Sequence, residues 1–129
     1  MTPLRLGIIA CLAVTMAACA STPTFRAGDV TVVDESGLVA AARVLEAATV
    51  EAPSAVAGDS LTKVVVSWPA DRCIENWLVR LAGNALSLTI EPGTRLVNCA
   101  GGPTGHAIEL TLNRVVDAGA IDISLAGSP

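Results

Sequence analysis

Aromatic side chains are nearly absent from this 129-residue chain: Phe25, Trp68 and Trp77 are all it has, and there is no tyrosine. Sugar-binding and base-stacking platforms need exposed aromatic faces, so both kinds of recognition have little to work with. The two tryptophans fall at the apolar parity of strand-like runs and are read as core, with a small two-ring platform as the alternative. Basic charge is also scarce. Eight Lys and Arg face twelve Asp and Glu, a net charge of −4, and no cluster of basic residues offsets the excess. Such a surface repels phosphate backbones, which argues against a nucleic-acid partner. Histidine occurs once, as His106, and there is no C-x-x-C pair and no G-x-S-x-G elbow. Gly101-Gly102-Pro103-Thr104-Gly105 lacks the Lys-Ser/Thr of a phosphate-binding loop and leads into a strand pattern, not a helix. Nucleophilic catalysis would need His106 as base beside a serine that no motif marks, so the chain is read as a non-enzyme without a cofactor. The carboxylates Asp71, Glu75, Asp117 and Asp122 show no ligand spacing and are read as solvated strand ends and outward faces.

What is present in strength lies at the start. Arg5 precedes an apolar run from Leu6 to Met16, too short to span a bilayer comfortably, and small residues follow at Ala17 and Ala18. That is the layout of a secretory signal. Met16-Ala17-Ala18-Cys19 resembles the lipobox of bacterial lipoproteins. The resemblance implies that the Cys19 thiol is acylated and the leader is cut just before it; the alternative is a plain secretory cut after Ala18 or Ala20. Cys11 follows Ile9-Ala10, but a cut there would leave too short an apolar core. Each buried methylene of a lipid contributes about 0.8 kcal/mol, and several chains together hold a protein firmly on a membrane. The expected location is therefore the cell envelope, with Cys19 as the membrane anchor. Ala20 in place of Asp after the cysteine directs it to an outer membrane where the organism has one. Residues 1–18 are expected to be the signal peptide, 19–28 the lipidated cysteine with a tether, and 29–129 the folded domain.

Removing the leader takes both methionines and Arg5, leaving about 111 residues with seven basic side chains against twelve acidic ones. That length suits one domain around one core. Cys73 and Cys99 remain, each at a strand boundary, and an exported protein meets an oxidising environment. A disulfide is the economical reading. The sharper alternative is a metal site of Cys73, Cys99 and His106 for zinc or copper, opposed by the lack of a second histidine or a methionine in the mature chain.

Short strand patterns separated by turn signals fill the domain. Asp29–Val33 is β-rich, 34–37 is a turn, and Leu38–Leu45 returns, which predicts a first hairpin; a helix over 38–48 is the rival. Glu51–Ser60 reads as a loop. Leu61–Trp68 is a valine-rich strand broken by Pro69-Ala70-Asp71-Arg72. Trp77, Val79 and Leu81 alternate with polar or outward residues, as do Leu86, Leu88 and Ile90, and Gly83-Asn84 between them predicts a two-residue hairpin turn. Closing it pairs Leu81 with Leu86, Val79 with Leu88 and Trp77 with Ile90, all on one face. Arg95-Leu96-Val97 reads as a short strand, Ile108, Leu110 and Leu112 mark another, and Ile121, Ile123 and Leu125 mark the last.

Seven or eight short strands, each with one apolar face, predict an all-β fold: a small immunoglobulin-like antiparallel sandwich, with a small closed barrel as the alternative. The run Val64-Val65-Val66-Ser67-Trp68, the cysteine pair and the strand from His106 to Arg114 resemble small exported bacterial β-sandwich proteins. That resemblance implies a fold and an envelope location and supplies no catalytic residues. The expected function is a non-enzymatic envelope lipoprotein whose loops at 100–105 and 51–60 meet a protein or small-ligand partner. A small inhibitor of an envelope enzyme, a metal-binding module and an envelope enzyme using His106 are the other classes.

Overall fold

A computed structural model describes residues 22–83 and 86–126. The leader, Cys11 and Cys19 lie outside the described residues. Nine strands are present among those described: β1 Thr24–Ala27, β2 Val30–Asp34, β3 Val39–Leu45, β4 Ser54–Ala57, β5 Lys63–Asp71, β6 Trp77–Ala82, β7 Ser87–Pro92, β8 Pro103–Leu112 and β9 Asp122–Leu125, with one 3₁₀ turn at Ala118–Ala120. They form two sheets, in the orders β9-β7-β6-β2-β1 and β3-β8-β5-β4. Neither sheet closes into a barrel among the described residues. The sandwich expected from the alternation is the observed architecture, and antiparallel pairs dominate it. Two pairs, β2 with β6 and β9 with β7, are parallel.

The period of two decides which side chains meet between the sheets. Val30 and Val32 of β2, Val79 and Leu81 of β6, and Leu88 and Ile90 of β7 face Val64, Val66 and Trp68 of β5 and Ile108 and Leu110 of β8, all essentially sealed from solvent. These branched side chains favour strands because they pack well on a pleated, half-buried surface. Trp68 and Trp77 are both core, as their parity predicted.

Several local expectations are corrected. The segment 34–37 does turn the chain, but β2 and β3 lie in different sheets, so no hairpin forms there. Over 38–48 the favoured strand reading holds against its helical rival, with residues 39–45 in a strand. The expected tether ends early: Thr24–Ala27 pairs antiparallel with Val30–Val33. Within the expected loop 51–60, Ser54–Ala57 pairs with Val64–Ser67. Arg95-Leu96-Val97 is not a strand; Arg95 makes one isolated bridge to Ile74, and Leu96 and Val97 are exposed. The β6–β7 hairpin is longer by two residues on one arm than a two-residue turn allows, since Leu81 pairs with Leu88 and Val79 with Ile90. A slip of two keeps every side chain on its face, so the apolar face survived the error in register. Leu86 lies beyond the pairing with φ +44°, inside a connection that also has Gly83 at φ +73°.

The two ends of the sandwich differ. Pro23 accepts a hydrogen bond from Asp34 N at 3.0 Å, so the chain enters β1 beside the end of β2. We call this end proximal. It also carries the 58–62 and 113–121 segments, because Leu112 N donates to Thr62 O at 2.7 Å and Asn113 N to Leu38 O at 2.8 Å. The distal end holds Asp29, Trp77, the last residues of β5 and the first of β8.

Candidate functional site

The distal end gathers most of the chemistry-bearing residues that the sequence singled out. Cys73 and Cys99 are joined in a disulfide with Cα atoms 5.8 Å apart. Cys73 is buried, and from Gly93 to Gly101 the chain runs exposed across this end. Few groups hold that segment down. Gly93 N donates to Asn76 O, Thr94 N to Asn76 Oδ1, Leu96 N to Cys73 O, and Glu75 N donates to Thr94 O. Asp71 is 3.7 Å from the Arg95 guanidinium, and its carboxylate accepts from Cys73 N at 2.8 Å. Gly93 sits so close to Asn76 that a β-carbon there would collide with the Asn76 side chain and backbone. Glycine therefore permits the close approach that lets the segment dock.

His106 lies on β8 where that strand passes beneath the start of β2. Its Nε2 is 3.0 and 2.9 Å from the two oxygens of Asp29, a residue that precedes β2 in the other sheet. The ring stacks on Trp68 with centroids 5.6 Å apart and tilts against Trp77 at 5.8 Å. A histidine held by a carboxylate has the outward form of a base with its orienting partner. The second nitrogen has a different setting. Nδ1 is buried and meets no hydrogen-bonding group among the described residues, so no nucleophile is set against it. The pair clasps sheet to sheet. Replacing His106 with alanine is expected to lower stability by about 2–3 kcal/mol, through lost packing against two indoles and a freed Asp29. Urea unfolding followed by tryptophan fluorescence measures this directly, since both tryptophans touch the ring; an unchanged midpoint would contradict the clasp.

The donor set Cys73, Cys99 and His106 is not assembled. Each sulfur is bonded to the other, and His106 faces Asp29 and the tryptophans. No cluster of three or more His, Cys, Asp or Glu with metal-binding geometry occurs among the described residues. Asp71 belongs to the disulfide end, whereas Asp117 caps the 3₁₀ turn by accepting from Gly119 N. The structure does not bring them together with Glu75 and Asp122 in one such site.

Sequence reasoning missed a buried carboxylate on the outer face of β8. Glu109 is 5% exposed and accepts from Arg43 Nε of β3 at 2.8 Å, with the Lys63 ammonium 3.9 Å away. The Arg43 hydrogen bond holds the Glu109 carboxyl below its ordinary range, against the opposing pull of burial, and the charges of Arg43 and Lys63 add to the lowering. The same bond raises Arg43. A carboxyl lowered on folding lends stability that is complete above its unfolded value, about 4.3, and that is lost as pH falls through the folded value. Wild type is therefore expected to lose its stability margin over Glu109→Gln as pH is taken from 6 to 3. Melting temperatures of both proteins across that range check the sign, and a margin independent of pH would contradict it.

These features define a small disulfide-stapled β-sandwich with an exposed, tied-down segment at one end. Comparison with known proteins finds no match to any family model, curated protein or solved structure.

Proposed function

We propose that this chain is exported, acylated on Cys19 and held in the cell envelope as a non-enzymatic module that offers its distal end to a protein partner. The observation that carries the reading is the Cys73–Cys99 bridge, which ties an exposed segment onto a rigid sandwich. A stable structural disulfide suits an oxidising compartment, where the signal-like leader would deliver the chain. Exposed segments on rigid scaffolds are where recognition concentrates. Here that segment is 93–102, with Val97 86% exposed and Leu96 also accessible. The loops first nominated at 100–105 and 51–60 are partly strand, which leaves 93–102 as the better candidate.

Two arms test the proposal in the native host. Labelled palmitate is expected to enter wild type and to be absent from Cys19→Ser, which should leave the membrane fraction. A photo-crosslinking residue in place of Val97 is expected to give one discrete adduct with an envelope protein. Label retained in Cys19→Ser, or no adduct from acylated, membrane-bound protein, would contradict the respective half of the reading.

A further inference from the structure

Three of the six large apolar side chains exposed among the described residues, Val56, Leu61 and Val115, lie together toward the proximal end, where the sandwich core does not explain them. Leu61 is 72% exposed and Val115 59% exposed, and together with Val56 they line one shallow groove whose other walls are Ala55, Ala57 and the turn from Val116 through Asp117 to Gly119. Leu61 and Val115 sit on the two segments 58–62 and 113–121 that flank the end of β8. A large aliphatic side chain in a loop loses free energy to water unless another surface covers it.

The reach of the chain says which surface is near. β1 begins at Thr24, and Pro23 is already fixed by its bond to Asp34 N. Between Cys19 and Pro23 stand only Ala20, Ser21 and Thr22. Four Cα-to-Cα steps span at most about 14 Å even when fully extended, comparable with the combined depth of two headgroup layers. A lipid on Cys19 would thus hold the proximal end against the bilayer. A ten-residue tether ending at Gly28 would have left it free.

We propose that the proximal end of the sandwich rests on the membrane, with Leu61 and Val115 inserted at the boundary between headgroups and acyl chains. This inference rests on the acylation of Cys19 proposed above. The occupant of the groove's mouth is then a lipid surface, and its charge follows from the rim. Glu35, Asp59, Asp117 and Asp122 are exposed there; Arg80 pairs with Glu35 at 3.1 Å, Lys63 lies 3.9 Å from Asp59, and Arg114 is exposed as well, so the rim is weakly acidic and a zwitterionic surface suits it better than an anionic one. The same placement turns the disulfide-tied segment 93–102 outward, away from the bilayer.

Single tryptophans report the contact, because native Trp68 and Trp77 are buried and lie away from this end. Full-length protein from host membranes, verified as acylated by mass, is reconstituted in phosphatidylcholine vesicles as wild type, Leu61→Trp, Val115→Trp and Val97→Trp. Brominated phosphatidylcholine is expected to quench the added emission of Leu61→Trp and Val115→Trp by half or more and to leave Val97→Trp and wild type unchanged. Acylated, vesicle-bound protein with no quenching at Leu61→Trp and Val115→Trp would overturn the membrane contact while leaving the anchor intact. Quenching equal at all three sites would overturn the orientation. A blue shift of Leu61→Trp without lipid, together with a doubled mass in detergent, would assign the face to a second copy instead. Protein that lacks acyl chains would overturn this inference together with the anchor on which it rests.

Discussion

Asp34→Ala is expected to cost about 3–4 kcal/mol, the largest effect of any single polar substitution in the domain. The Asp34 side chain is 1% exposed and stands at the corner where the chain leaves one sheet for the other. Its Oδ1 accepts from Ser36 N and Gly37 N, both at 3.1 Å, and from the Ser36 hydroxyl, while Oδ2 accepts from Val39 N at 2.8 Å. Ser36 Oγ in turn accepts from Leu38 N. Removing the carboxylate strands several donors at once, and Val39 N is buried at the first residue of β3. An unsatisfied buried donor costs about 1–3 kcal/mol, and donors nearer the surface recover part of theirs from water. Asp34→Asn keeps one acceptor oxygen and should lose about half as much. Urea midpoints of the three proteins provide the check. Equal stability of Asp34→Ala and wild type would mean that the corner is held by packing alone.

The second large effect belongs to the disulfide. Cys73 and Cys99 are 26 residues apart and enclose the whole β6–β7 hairpin. On the chain-entropy argument, closing such a loop stabilises the fold by about 3.5 kcal/mol, a large part of the net stability of a small domain. The double variant Cys73→Ala, Cys99→Ala is expected to lose about that much. The loss should also have a place. Segment 93–102 has few backbone bonds and is largely exposed, so its amide hydrogens should exchange sooner in the variant while β5 and β8 hold theirs longest. Uniform acceleration across both sheets would show that the bridge supports the core and not the distal segment.

How much of this was legible follows from where each signal resides. Alternation over five or more residues marked β6, β7 and β8, because a strand buried on one face must repeat with period two, and the valine run marked β5. β1 and β4 escaped notice. Each has four residues and sits at a sheet edge, and Thr24–Ala27 and Ser54–Ala57 mix small and polar residues among proline and glycine neighbours, so pairing with one partner decides their conformation. Arg95-Leu96-Val97 failed in the other direction, since β-favouring side chains cannot make a strand where no neighbouring edge is free to pair over its length.

The candidate sites divide in the same way. Two cysteines at strand boundaries, behind a segment with the layout of a secretory signal, suggest a bridge, so Cys73 and Cys99 could be paired from the sequence. Asp34 carried a local sign in the Asp-x-x-Gly turn, but not the sheet change that makes its carboxylate buried. Asp29 and His106 are 77 residues apart, and no spacing rule links a carboxylate before one strand to a histidine inside another. Glu109 looked like any outward polar residue of an alternating strand. Only the neighbouring strands, which bring the exposed Arg43 and half-buried Lys63 across it, make it a buried carboxylate with cationic partners.

Acylation of Cys19, proposed above, and the Cys73–Cys99 bridge of the sandwich are open to a single measurement. The most direct test is the intact mass of the protein from host membranes, with a non-reducing peptide map of the same sample. The account expects a mature chain that begins at Cys19 and carries the added mass of two or three acyl chains, with Cys73 and Cys99 in one bridged peptide. A chain with an unmodified amino terminus and two free thiols would contradict it.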